Sequence, residues 1–129
     1  MEADLDTLGA LAERMGIEIT EATPERVVGT MPVEGNTQTY GVLHGGASAV
    51  LAESLGSIGA ALHSAPERLP VGVDLNATHH RVAREGYVTG IATPLHTGRT
   101  TSTWAISITD DQGRLVCTAR LTCALLATR

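Results

Sequence analysis

The segment running from His44 to His63, HGGASAVLAESLGSIGAALH, constrains this chain more than any other. Ala47, Leu51, Leu55, Ile58 and Leu62 recur at helical spacing and define one apolar face. The rest of the cylinder is Ala, Gly, Ser and Val, where a surface helix would carry Lys, Glu and Gln. A helix that is small or apolar nearly all round is expected to be buried. Gly56 and Gly59 each cost about 1 kcal/mol relative to Ala in a helix interior, so close approach of a sheet or a second helix is expected to need them.

One charged residue, Glu53, stands inside that helix. A carboxylate withdrawn from water must be paired, shift its pKa or face a solvent-reachable cavity. The bland alternative is a solvated surface glutamate, and the apolar surroundings weigh against it. Ser57, at i+4, shares the face and can orient the carboxylate. Upstream, His44-Gly45-Gly46 enters the helix start, where unpaired N–H groups and the positive dipole end favour a developing oxyanion. The glycines could equally serve only the sharp turn into the helix.

The remaining pattern surrounds this helix with strands. Residues 4–14 read as a short amphipathic helix capped by Asp4, with Leu5, Leu8, Leu11 and Ala12 on one face and Gly16 as its stop. Strands are expected at Ile17–Thr23, Arg26–Val33, Leu69–Arg81, Tyr87–His96, Thr101–Thr109 and Leu115–Leu126. Pro94 favours an edge or a bulge, and Asp110-Asp111-Gln112-Gly113 reads as a hairpin turn. This order gives an α+β domain with an antiparallel sheet, expected to occupy residues 1–129 as one unit. Within Asn76–Arg81, alternation sets His79 and Arg81 on one face and His80 on the other. Adjacent strand histidines point apart and cannot chelate one ion, so no metal is expected, and an ordinary polar strand end is the alternative to ligand contact.

Charge and cysteine content narrow the function classes. A net charge of −5 argues against an extended nucleic-acid surface. All nine cationic residues are Arg, whose planar fork suits a small phosphate ligand. Cys117 and Cys123 fall on one expected strand, about 20 Å apart and beyond disulfide range. The acidic start lacks the basic region of a signal peptide, and Glu53 interrupts the most apolar stretch. A cytoplasmic protein with no membrane association is the expectation.

Taken together, Gln38 to Ser57, Asn76 to Gly86, Pro94 to Thr100 and Gly113 to Leu126 resemble the hotdog-fold acyl-CoA thioesterases. The likeness is to the PaaI-like branch, whose members include bacterial 1,4-dihydroxy-2-naphthoyl-CoA and hydroxybenzoyl-CoA thioesterases. The resemblance implies a long helix wrapped by a curved antiparallel β-sheet, in homodimers assembling to homotetramers with each active site between subunits. It implies Glu53 as nucleophile or general base, and the Gly45 N–H polarising the thioester carbonyl with His44 and Gln38 beside it. Ser57 would orient Glu53 or water, and His79 would line the acyl or pantetheine region. Arg81, Arg99 and Thr100 would meet the nucleotide phosphates. No cofactor is implied, since coenzyme A arrives with the substrate.

Two other readings separate by chemistry. A hotdog hydratase or dehydratase needs an acid and a base flanking Cα and Cβ, for which His44 is available. A non-catalytic acyl-CoA-binding domain would bind without turnover, and Glu53 argues against it.

Overall fold

The computed structural model describes residues 7–128. In chain order the elements are α1 (Ala10–Arg14), β1 (Glu18–Thr23), β2 (Arg26–Pro32) and α2 (Gly45–Ser64). They are followed by β3 (Arg68–His79), β4 (Tyr87–Thr97), β5 (Thr101–Thr109) and β6 (Leu115–Ala127). Six strands form one antiparallel sheet in the order β1-β2-β4-β5-β6-β3. Helix α2 touches every strand, so the sheet curls around it. This is the α+β, hotdog-type architecture expected from the sequence.

Helix α2 sits so close to the sheet because two glycines let it. A methyl group at Gly59 would strike the Trp104 ring, with Cζ3 at 2.6 Å and Cζ2 at 2.8 Å, and one at Gly56 would meet Leu121 Cδ2 at 2.7 Å. Trp104 is fully buried, and its indole N–H donates to Ser102 Oγ at 2.6 Å. A chain without Phe thus fills the centre of its core with one indole, in the space two helical glycines leave open. Gly59→Ala is therefore expected to destabilise by about 1–3 kcal/mol through overpacking, although alanine is the better helix former. Thermal unfolding checks this, and a raised melting temperature would contradict it.

The buried face of α2 is Ala47, Ser48, Leu51, Ala52, Leu55, Gly56, Gly59 and Ala60. That face is rotated from the expected one: Ile58 is partly buried and Leu62 is 44% exposed. The small residues, which allow the sheet to approach, define the buried side better than the large ones do. Among the described residues, the opposite side of α2 is only partly covered, with Val50, Glu53, Ser54, Ile58 and Ala61 half-buried. By length and composition α2 could also cross a bilayer, but here its apolarity faces the sheet.

Other departures are local. The described part of the first helix begins only at Ala10, behind Gly9 at φ 92°, and Asp4 and Leu5 lie outside the described residues. Leu8 and Leu11 are exposed, and of that expected face Ala12 is buried. Pro94 falls in a bulge of an interior strand. Pairing of β2 with β4 stops at Ala92, so Pro94's missing N–H leaves no gap in that ladder. The 110–113 turn forms as expected: Asp110 Oδ1 accepts from the N–H groups of Gln112 and Arg114, and Gly113 takes φ 75°. Cys117 and Cys123 are free and buried.

Candidate active site

The start of α2 leaves one backbone donor open. His44 is the N-cap, in extended conformation, and its Nδ1 accepts from the Gly46 N–H at 2.8 Å. The N–H groups of Ala47 and Ser48 both donate to the His44 carbonyl, and His44 N–H donates to Asn36 O. Among the described residues, no such partner takes the N–H of Gly45. His44 thus acts as a capping acceptor, a role the sequence reading did not foresee. A Cβ at Gly45 would lie 2.9 Å from His79 Nε2, so the glycine lets the imidazole lie against the helix start.

Gly45, Gln38, His79 and Arg81 line one cavity of about 350 Å³, with His80 and Ser48. The strand alternation that would separate His80 from its neighbours ends at His79, the last residue of β3. His80 Nε2 is 2.8 Å from Thr118 Oγ1. The Gln38 side-chain carbonyl accepts from the Tyr40 N–H, which fixes the loop that carries it. Arg81 also borders a larger cavity of about 630 Å³, with Arg84, Arg114 and the carboxylates of Glu85, Asp110 and Asp111.

Glu53 and Ser57 line a different cavity, of about 320 Å³, walled by Leu8, Ala12, Ile17, Ile19, Ile58 and Ala61. Glu53 is half-buried, neither in bulk solvent nor sealed. Its Oε2 lies over Gly72 of β3. The i+4 spacing sets Ser57 on the same cavity, but no hydrogen bond joins it to Glu53. Burial pushes the Cys123 thiol up, the Ser57 hydroxyl draws part of that back, and the charge of Glu53 adds to the rise. A neutral, unreactive thiol beneath the carboxylate is the consequence.

The expected site residues therefore fall into two separate groups. Gly45 and Glu53 are eight residues apart on one helix, about 12 Å along its axis, and open into separate cavities. Arg99 and Thr100 are further still from Arg81. Their hairpin adjoins the Leu125 end of β6, where Leu125 N–H donates to Thr100 O, whereas Arg81 follows His79 at the Cys117 end. Sequence reading singled out residues on both cavities, Gln38, Gly45, His79 and Arg81 on one and Glu53 and Ser57 on the other. It missed Gly72 and Cys123, the floor under Glu53, for which the sole sequence signal was a glycine inside a strand.

A long helix lying in a curled six-stranded antiparallel sheet defines a hotdog protein, and thioesterases are among the solved structures that share this fold. Thioesterase HI1161 of Haemophilus influenzae matches with a TM-score of 0.89 at 36% identity, over 98% of this chain and 93% of that one. The 1,4-dihydroxy-2-naphthoyl-CoA hydrolase of Escherichia coli K12 is 44% identical over 128 residues, covering 95% of this chain and 94% of the relative. The proofreading thioesterase EntH of Cronobacter turicensis is 45% identical over 121 residues, covering 93% and 88%. The family pattern of the thioesterase superfamily matches residues 40–117. The chain belongs to the thioesterase superfamily, and its activity is hydrolysis of acyl-CoA thioesters.

Proposed function

We propose that the protein hydrolyses aromatic acyl-CoA thioesters to free acid and coenzyme A, at sites completed by a second copy of the chain. Glu53 of one subunit acts as nucleophile or general base, opposite the Gly45 N–H of the other. The observation that carries this reading is the one open N–H at the start of α2, in a cavity separate from the half-buried carboxylate. A thioester carbonyl under attack gains negative charge on oxygen, and an N–H already aimed at that oxygen stabilises it without reorganisation. Glu53 either attacks the carbonyl directly, giving a mixed anhydride that water then cleaves, or removes a proton from the attacking water. The coenzyme A thiolate leaves without needing a strong acid.

The edge strand supports the pairing. β3 is twelve residues long, closes one side of the sheet, and exposes Val71 and Val73. A long apolar edge is normally paired or covered. An antiparallel self-pairing about a two-fold axis between Leu75 and Asn76 sets Gly72, beneath Glu53, opposite the partner subunit's His79, beside its Gly45. The same operation moves the Arg99–Thr100 hairpin of one copy toward Arg81 of the other, giving a cationic mouth for the nucleotide phosphates. Gln38 and His44 hold the loop and helix start around the oxyanion position. Ser57 orients the attacking water, and His79 lines the pantetheine path. Two such dimers assemble to a cytoplasmic homotetramer, with no metal in the mechanism.

The apolar walls beside Glu53 suit a flat ring, and the naphthoyl substrate named for the Escherichia coli relative agrees with this. The test is thiol release from benzoyl-CoA, hexanoyl-CoA and crotonyl-CoA. Faster release from the aryl thioester is expected. Loss of crotonyl enoyl absorbance without free thiol would overturn hydrolysis in favour of hydration, and preference for hexanoyl-CoA would overturn the aromatic assignment.

A further inference from the structure

We propose that Gly72 is a positioning residue for the Glu53 carboxylate: its missing side chain sets how deeply that carboxylate sits against the sheet. The proposal rests on Glu53 being the catalytic group. Glycine inside a strand gives up packing and conformational entropy, so its presence needs a reason. Backbone conformation is not the reason, because Gly72 is absent from the glycines with positive φ. Space is. A Cβ at Gly72 would overlap Glu53 Oε2 and lie 3.2 Å from Glu53 Cδ, with Leu121 Cδ1 next at 3.4 Å.

The other strand glycines that face α2 serve the core. A Cβ at Gly29 would meet Leu55 Cδ2 at 2.8 Å, and one at Gly90 would meet Leu55 Cδ1 at 2.6 Å. Leu55 is fully buried and has nowhere to go. At Gly72 the obstructing atom is the tip of a flexible, half-buried side chain. An added methyl can therefore be accommodated without unfolding, by moving the carboxylate. The cost falls on the geometry of the reaction, not on the core.

A β-bulge puts this glycine in place. Gly72 pairs with Cys123 and Asp74 with Thr122, leaving Val73 as the extra residue, 62% exposed. From His79 back through Ala77 to Leu75, alternate residues face α2. Regular alternation continued from Leu75 would put Gly72 on the opposite face of the sheet. The bulge restores it to the helix side, directly beneath Glu53. Leu121 and the buried Cys123 close the floor around it, so the carboxylate has no deeper position to take.

The test is a double-mutant cycle in the full-length protein, assayed by thiol release from benzoyl-CoA, with melting temperature and oligomer size measured alongside. Gly72→Ala is expected to lower kcat at least about 10-fold, since small misplacements of a reacting group are costly, with KM within about 2-fold and the melting temperature within about 3 °C. Glu53→Asp, one methylene shorter, withdraws from the space the new methyl needs. Gly72→Ala is therefore expected to cost little more in the Glu53→Asp background, a non-additive cycle that a general loss of fold would not produce. A crystal structure of Gly72→Ala should show Glu53 displaced over an unmoved α2. Multiplying losses in the double variant, or an undisplaced carboxylate, would overturn the proposal. A near-normal kcat for Gly72→Ala beside an inactive Glu53→Ala overturns the positioning role alone, whereas an active Glu53→Ala overturns the catalytic assignment beneath it.

Discussion

Glu53→Ala is expected to lower thiol release from an aryl-CoA thioester by at least about 10²-fold, with the oligomer preserved. The structural side of this expectation follows from what Glu53 does not do. It forms no ion pair or hydrogen bond among the described residues, and it flanks the buried face of α2 without belonging to it. Alanine is the best helix former and removes a charge from a half-buried position, so the variant should melt no lower than the parent. Loss of rate with intact folding then reports on chemistry. Because the acyl group and coenzyme A have many other contacts, KM should move much less than kcat. Glu53→Gln keeps the shape without the charge and should fall equally far. A variant retaining more than about a tenth of the parent rate would remove this carboxylate from the reaction.

The parts of this fold that were legible in the sequence are those where one local pattern decides the outcome. The helix from Gly45 to Ser64 differs by one residue at each end from the segment His44–His63, because glycine, histidine and small residues mark both its limits and its packing. Trp104, Ile106 and Ile108 alternate onto the core side of β5, where all are buried. Legibility failed where two patterns compete. Ile58 and Leu62 satisfy the helical period, but Gly56, Gly59 and Ala60 bring the sheet nearer, so the buried face turns toward the small residues. Pro94 allowed an edge or a bulge, and the structure takes the bulge, within an interior strand. At the site, Glu53 and Gly45 stood out by type and position, but their separation into two cavities is a property of three dimensions. A spacing of eight residues along a helix is about 12 Å, a distance no side chain closes, in keeping with the expectation of a site between subunits. The Gly72 seat was hidden more deeply, since a bulge changes the parity of a strand without changing its composition.

Gly45→Pro is expected to cost about 10²–10³ in kcat, the usual effect of deleting one oxyanion donor. Proline is well suited to this position. Gly45 is the first residue of α2, where proline is favoured because no intrahelical bond uses its N–H. The preceding residue, His44, already holds φ −67° and ψ 132°, the extended conformation that a following proline requires. The substitution thus removes one hydrogen-bond donor and leaves the helix start in its present geometry. Its ring also reaches toward His79, so Gly45→Ala, which crowds the imidazole but keeps the N–H, is the control and should be the milder variant. The same pair of substitutions tests where the site lies. In a hybrid dimer of one Glu53→Ala subunit and one Gly45→Pro subunit, one site carries both defects and the other carries neither. Co-expression with two affinity tags should therefore recover about half the parent rate per hybrid dimer from two inactive parents, as two-fold symmetry requires. If the carboxylate and the N–H served the same substrate within one chain, every site in the hybrid would lack one of them and no activity would return.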